Sequence, residues 1–316
     1  MYVKNLYVSS RPPQRRRRPL NMGSLIPVVG ILLVLFLAVS LMGKACSACL
    51  GGPGWLETVA QTAQEKRLSV EADFSKLPKN LDKAVVKSLK AQKNDGRIAW
   101  IVNNADAYAM DGAEQQGRFL KLAADDPAAI DYVFDLPSRY PAKAGEPYTD
   151  KVTKGTIPLL MQWDQRWGYT KYCGTTFGTT GCCPTTLSMV YMGLTGKTDK
   201  TPYDTSVMAK KGGYAYDGEG TVADFLPAAA SKLGLGCEEI YPDADELTSY
   251  LAQGYPVIVN VGPGDFTTAG HFIVACGLDE NGKVIVNDPY STVRSDKVWS
   301  VDTIAGQAIS MYAFYN

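Results

Sequence analysis

The chain holds one histidine, His271, in 316 residues. That scarcity excludes metal centres built on several imidazoles, and it means that any side-chain base working near neutral pH has to be His271. Cys46-Ser47-Ala48-Cys49 has no second cysteine pair to complete a tetrahedral zinc site, so no metal site is expected. Charge of one sign is also not in excess, because 32 Lys and Arg balance 32 Asp and Glu, and no nucleic-acid partner is implied. Phosphate-cradling loops are missing as well. Gly218-Glu219-Gly220-Thr221-Val222-Ala223 follows no apolar strand, and Gly196-Lys197-Thr198 has Tyr191 where a P-loop needs its leading glycine. No nucleotide or other cofactor is expected, and there is no internal repeat.

Charged residues are absent from Pro19 to Gly43, and the reverse holds just before it. Lys4, Arg11 and Arg15 to Arg18 give the first twenty residues six positive charges and no acid. Residues 25–43 are nearly all apolar, close to the roughly 20 residues that cross ~30 Å of hydrocarbon as a helix. The sequence thus predicts a basic cytoplasmic tail (1–24), one transmembrane helix (25–43) and an extracytoplasmic remainder, oriented by the arginine run. A cleaved signal peptide is the competing reading, but its apolar region is usually only about 7 to 15 residues long. Outside the cell, seven cysteines invite disulfides, and the odd count leaves one thiol over.

Residues 44–150 form an expected helical spacer. Leu77, Leu81, Val85 and Leu89 recur at four-residue spacing, and Asp126-Pro127 has the form of a cap followed by a first-turn proline. A proline- and glycine-rich stretch, 137–155, marks the boundary of a C-terminal domain over 151–316.

That domain carries the chemistry. Cys182 stands two residues before Pro184, which can open a helix, and Leu187, Val190, Tyr191 and Leu194 share one face of the run that follows. A helix N-terminus and a neighbouring imidazolium both favour the thiolate form of a cysteine. Further on, 256–261, 272–275 and 283–286 are β-branched runs, the last two joined by the turn sequence Asp279-Glu280-Asn281-Gly282. A two- or four-residue loop centred on Glu280-Asn281 places Ile273 opposite Asp288 and His271 opposite Tyr290. His271 and Asp288 then share a face, and Asn287 points away; a three-residue loop reverses that choice. The chain order is cysteine, histidine, aspartate.

From Ile157 onward the chain resembles the C39-like (peptidase C39 type 2) domains of the papain-like cysteine peptidases. The resemblance rests on Gln162-Trp163-Asp164-Gln165-Arg166-Trp167-Gly168, on Gly181-Cys182-Cys183-Pro184-Thr185-Thr186, on Gly270-His271-Phe272-Ile273-Val274 and on Asn287-Asp288-Pro289. Gly96 to Val102 and Ala128 to Val133 are similar to the helical region that precedes this domain in bacterial members. The resemblance implies an α+β papain-like fold, with Cys182 on an N-terminal helix and His271 and Asp288 on an antiparallel sheet. It also implies Cys182 as nucleophile, His271 as base, Asp288 as its orienting carboxylate and Gln162 as oxyanion-hole donor. Cys183 stands where the family usually has glycine, and Gln162 lies twenty positions before Cys182, so the loop with Tyr169, Tyr172 and Cys173 has to fold away. The expected function is hydrolysis of a peptide or amide bond, through a Cys-His-Asp triad, by a single-pass enzyme of the cell membrane with its catalytic domain outside. A cell-wall peptide amidase or endopeptidase, and a silent peptide-binding module, remain as alternatives.

Overall fold

Residues 68–316 are described by the structure, a computed structural model. The predicted tail, the predicted span and Cys46 and Cys49 lie outside the described residues. Among the described residues, no helix is long and apolar enough to cross a membrane.

The first part is helical: α1 (Lys83–Ala91), α2 (Gly96–Asn103), α3 (Ala113–Asp125) and α4 (Ile130–Arg139). Aspartates set several of the starts. Asp82 accepts from Ala84 N, Asp95 from Arg97 N, and Asp126 from Ala128 N at a short 3-10 turn with Pro127 in its first turn. The four-residue leucine spacing yields a shorter helix than expected. Leu77 precedes Pro78, which forces extended backbone (φ −68°, ψ 147°), and the helix begins only after Asp82. Leu77 is buried all the same, so its apolar position records burial rather than helical phase.

One apolar cluster joins these helices to the segment after them. Leu89, Ile98, Phe119 and Tyr132 pack with Met161, Trp163 and Tyr169. The Tyr132 ring stacks on Tyr169 at 4.9 Å, and its hydroxyl lies 2.6 Å from Thr176 Oγ1. Gly178 has no Cβ because the Tyr132 hydroxyl occupies that space. The helical part thereby holds the loop that leads to Cys182.

The remainder is an antiparallel six-stranded sheet flanked by helices. Helices α5 (Cys182–Thr195), α6 (Pro202–Gly212), α7 (Phe225–Leu233), α8 (Ala244–Ala252) and α9 (Val301–Gln307) accompany strands β1 (Gly236–Ile240), β2 (Val257–Val261), β3 (His271–Leu278), β4 (Val284–Asn287), β5 (Val298–Trp299) and β6 (Ala308–Tyr315). The sheet order is β1-β6-β2-β3-β4-β5. Ile258, Phe272, Val274, Tyr312 and Phe314 share a core with α5, whereas Val257, Val259, Ile273, Ala275 and Met311 share one with α8 and α9. Burial on both faces explains why the central strands read as continuous apolar runs.

Two expectations need correcting in detail. Helix α5 is buried from Cys183 to Gly193 all round rather than along one face, so it is the central helix of the domain. Its end is as expected, with Gly196 left-handed at φ 74°. In the β3–β4 hairpin the loop has three residues, because Asp279 N donates to Lys283 O and Gly282 is left-handed at φ 72°. That loop alone would have put Asp288 on the wrong face. A β-bulge at Cys276 restores the register: Leu278 pairs with Val284 and Gly277 with Ile285, but Ala275 pairs with Val286 and Val274 with Asn287. The expected register thus holds at the site end through two irregularities that cancel.

Candidate functional site

Cys182 opens α5, preceded by Gly181, whose carbonyl accepts from Thr185 N (3.0 Å) and Thr185 Oγ1 (2.7 Å). A Cβ at Gly181 would strike the Phe177 ring, so this position takes glycine for reasons of space. Cys182 is partly exposed, while its neighbour Cys183 is wholly buried. All five described cysteines are free thiols. Burial comes first in pushing the Cys183 thiol well above its ordinary range, and it likewise pushes Cys173 up to about 11.

His271 begins β3, at the end of its pairing with β2, where it lies opposite Val261. Its Nε2 is 2.8 Å from Asp288 Oδ1. An ionised carboxylate has no proton to give, so Nε2 donates, and Cys182 is the ring's other electrostatic neighbour. Burial opposes a charge on this ring, but the Asp288 carboxylate and Cys182 outweigh it and raise the pKa to about 9. The Tyr290 ring stands nearly perpendicular to the imidazole, 6.4 Å away.

Asp288 is fully buried. Oδ1 accepts from Tyr290 N (2.8 Å) as well as from His271, and Oδ2 accepts from Arg294 Nε (2.6 Å). Burial alone would raise its pKa, but His271 and Arg294 overcome that and hold the carboxyl below the usual range. Asn287 points the other way, donating to Ile157 O at 3.1 Å.

Gln162 is buried, and its backbone N donates to Pro289 O at 2.7 Å. Its Nε2 donates to Gly178 O at 3.1 Å, in the short helix Phe177–Thr180 that runs into Cys182, and its Oε1 has no partner. The intervening chain forms a two-stranded ribbon, Lys171–Tyr172 with Thr175–Thr176, and buries Tyr169 and Tyr172. Gln162 is therefore bonded to the segments that carry Cys182 and Asp288.

Three contributors were not legible in the sequence. Ser291 caps a helical turn, Thr292–Ser295, by accepting from Arg294 N, and this swings Arg294 back onto Asp288. Ser295 Oγ accepts from Asp288 N at 2.9 Å. Asp126, the cap near the start of α4, reaches the same turn, accepting from Thr292 N (2.7 Å) and Thr292 Oγ1 (2.8 Å). The Ser291 cap was the one available signal; nothing local tied an arginine six positions on to a buried carboxylate.

Arg294→Ala should destabilise the fold by roughly 1.5–3 kcal/mol at pH 7, the range for a hydrogen bond to a charged group. A larger loss is not expected, because the arginine side chain is 22% exposed. The folded pKa of Asp288 is depressed, so its ion-pair stability is present above the unfolded value and disappears as pH falls through the folded one. Urea denaturation at pH 7 and pH 3 should show the deficit shrinking in acid; an equal deficit at both would place the arginine's contribution elsewhere.

A partly exposed cysteine at the start of a buried helix, facing a histidine that a buried aspartate holds from a sheet, is the arrangement of papain-like thiol sites. The family comparison agrees with that class. The Peptidase_C39 like family matches residues 154–315, slightly over half of the chain, and the protein belongs to this family. No curated protein matches it. Among solved structures, the peptidase domain of Streptococcus ComA, a bi-functional ABC transporter involved in a quorum sensing pathway, is similar at 25% identity. The match covers 43% of this chain and 90% of that one, with a TM-score of 0.34.

Proposed function

We propose that the protein is a membrane-anchored cysteine peptidase that hydrolyses a peptide or amide bond outside the cell through Cys182, His271 and Asp288. The observation that carries this reading is the 2.8 Å contact between His271 and a fully buried, doubly anchored Asp288, with Cys182 near enough to act on the charge of the ring. Cys182 attacks the carbonyl carbon as a thiolate. The oxyanion formed is met by the Cys182 backbone N–H and the Gln162 amide, each such donor being worth roughly 2.7–4 kcal/mol of barrier. His271 passes its proton to the leaving amine, and a water deprotonated by the same ring then releases the acyl group from sulfur. Asp288 fixes the ring and balances its charge, and Arg294 fixes Asp288.

Anchoring through residues 25–43 rests on the basic and apolar patterning of the N-terminus. One experiment tests the chemistry and the topology together. A membrane-impermeant peptidyl electrophile applied to intact cells should label Cys182 in the membrane fraction, as read by peptide mass spectrometry. Labelling only after permeabilisation would overturn the topology. No labelling of Cys182 under either condition would overturn the thiol mechanism.

A further inference from the structure

At the edge of the sheet formed by β1, away from the thiol site, lies an open cavity of about 450 Å³ lined by Tyr250, Tyr255, Tyr315, Glu238 and Glu246, with no basic residue in its wall. Strands β6 and β2 separate β1, which carries Glu238, from β3. Tyr255 precedes the start of β2, while His271 pairs with Val261 at the other end of that strand. The two sites are therefore separated across the sheet and along it.

The wall is built rather than incidental. Gly236 pairs with Tyr315, and a Cβ at residue 236 would clash with the tyrosine ring, so the missing side chain leaves room for that ring against the edge strand. Tyr255 lies between the other two rings, 5.7 Å from Tyr315 and 6.2 Å from Tyr250. Glu238 and Glu246 both act on the Tyr250 hydroxyl and, after burial, help to raise its pKa. Neither carboxylate has an ion-pair partner among the described residues. The cavity volume lies within the range of small-ligand sites, about 300–1,000 Å³.

Aromatic faces present negative potential, and two carboxylates add to it without any internal cation to neutralise them. A neutral apolar guest would leave those carboxylates uncompensated, and an anion would be repelled. An alkylammonium group satisfies both features, its charge meeting the carboxylates and its methylene or methyl surface lying on the rings. We infer that this cavity is a second binding site, separate from the thiol centre, for an alkylammonium group. Such a site would hold a cationic ligand at a fixed place on the domain without taking part in bond cleavage.

The full chain in a non-ionic, choline-free detergent would be titrated by saturation-transfer NMR with three probes: choline, Nα-acetyl-lysine methylamide, and the uncharged choline isostere 3,3-dimethyl-1-butanol. At least one ammonium probe should bind while the isostere does not, and the tighter of the two identifies the source, a quaternary headgroup or a lysine side chain. Tyr255→Ala should weaken binding about threefold or more, as expected for loss of one ring face, and the double variant Glu238→Gln/Glu246→Gln still further. Labelling of Cys182 by a peptidyl electrophile should stay at the wild-type rate in these variants, which separates loss of this site from loss of the fold or of the thiol chemistry. Absence of ammonium binding, equal binding of the isostere, or wild-type binding in the double variant would each overturn the inference.

Discussion

Cys182→Ala should abolish turnover, by on the order of 10⁴-fold or more, while leaving thermal stability nearly unchanged. The residue is partly exposed at the mouth of α5, so removing its sulfur leaves little cavity. Cys183→Ala should do the opposite. That thiol is wholly buried among Leu187 and the other residues of the α5 core, and its loss should cost roughly 1–2 kcal/mol of stability. Turnover should survive, because burial keeps the Cys183 thiol protonated and no substrate can reach it. Progress curves on a fluorogenic peptide, paired with thermal melts of both variants, check this. Activity retained in Cys182→Ala and lost in Cys183→Ala would move the nucleophile by one residue.

The second large effect concerns His271, for which no other imidazole can substitute. His271→Ala should cost on the order of 10³-fold or more in kcat/KM. In the wild type, kcat/KM should fall as pH rises through about 9, where the imidazolium loses the proton destined for the leaving group. Asp288 is the largest favourable influence on that charge, so Asp288→Asn should move the alkaline limb toward the ordinary histidine value near 6.5 and lower the rate. Stability follows the same sign. A pKa raised on folding contributes stability that is fully present below about 6.5 and lost as pH rises through about 9. The wild-type melting temperature should therefore decline across that interval, and that of Asp288→Asn should not. An alkaline limb unmoved by Asp288→Asn would mean that the carboxylate does not set the charge of the ring.

Much of this site was legible because its parts are local. Pro184 and Gly196 bracket α5, and the β-branched runs gave the strands that carry His271 and lead to Asp288. Family motifs supplied Gln162, whose distance along the chain hides its bonds to Gly178 and Pro289. What stayed hidden depends on long-range packing. Asp126 reads as a helix cap and is one, but its second carboxylate oxygen is used 166 positions away. Similarly, the all-round burial of α5 cannot be inferred from one apolar stripe, since it depends on what covers the other faces. The hairpin is the instructive case, because counting through its turn gave the correct face by way of an incorrect loop.

The bulge at Cys276 makes the two ends of that hairpin mechanically independent. Beyond Asp279 and Lys283 the turn is spare length, with its own closing bonds, in which Asn281 N and Lys283 N donate to Asp279 Oδ1. On the site side of the bulge, Ala275 to Val286 and Val274 to Asn287 fix which surface of the sheet carries Asp288, whatever the turn does. The hairpin tip is thus a place where this chain can acquire or shed residues without disturbing the parity of the strands that meet at His271.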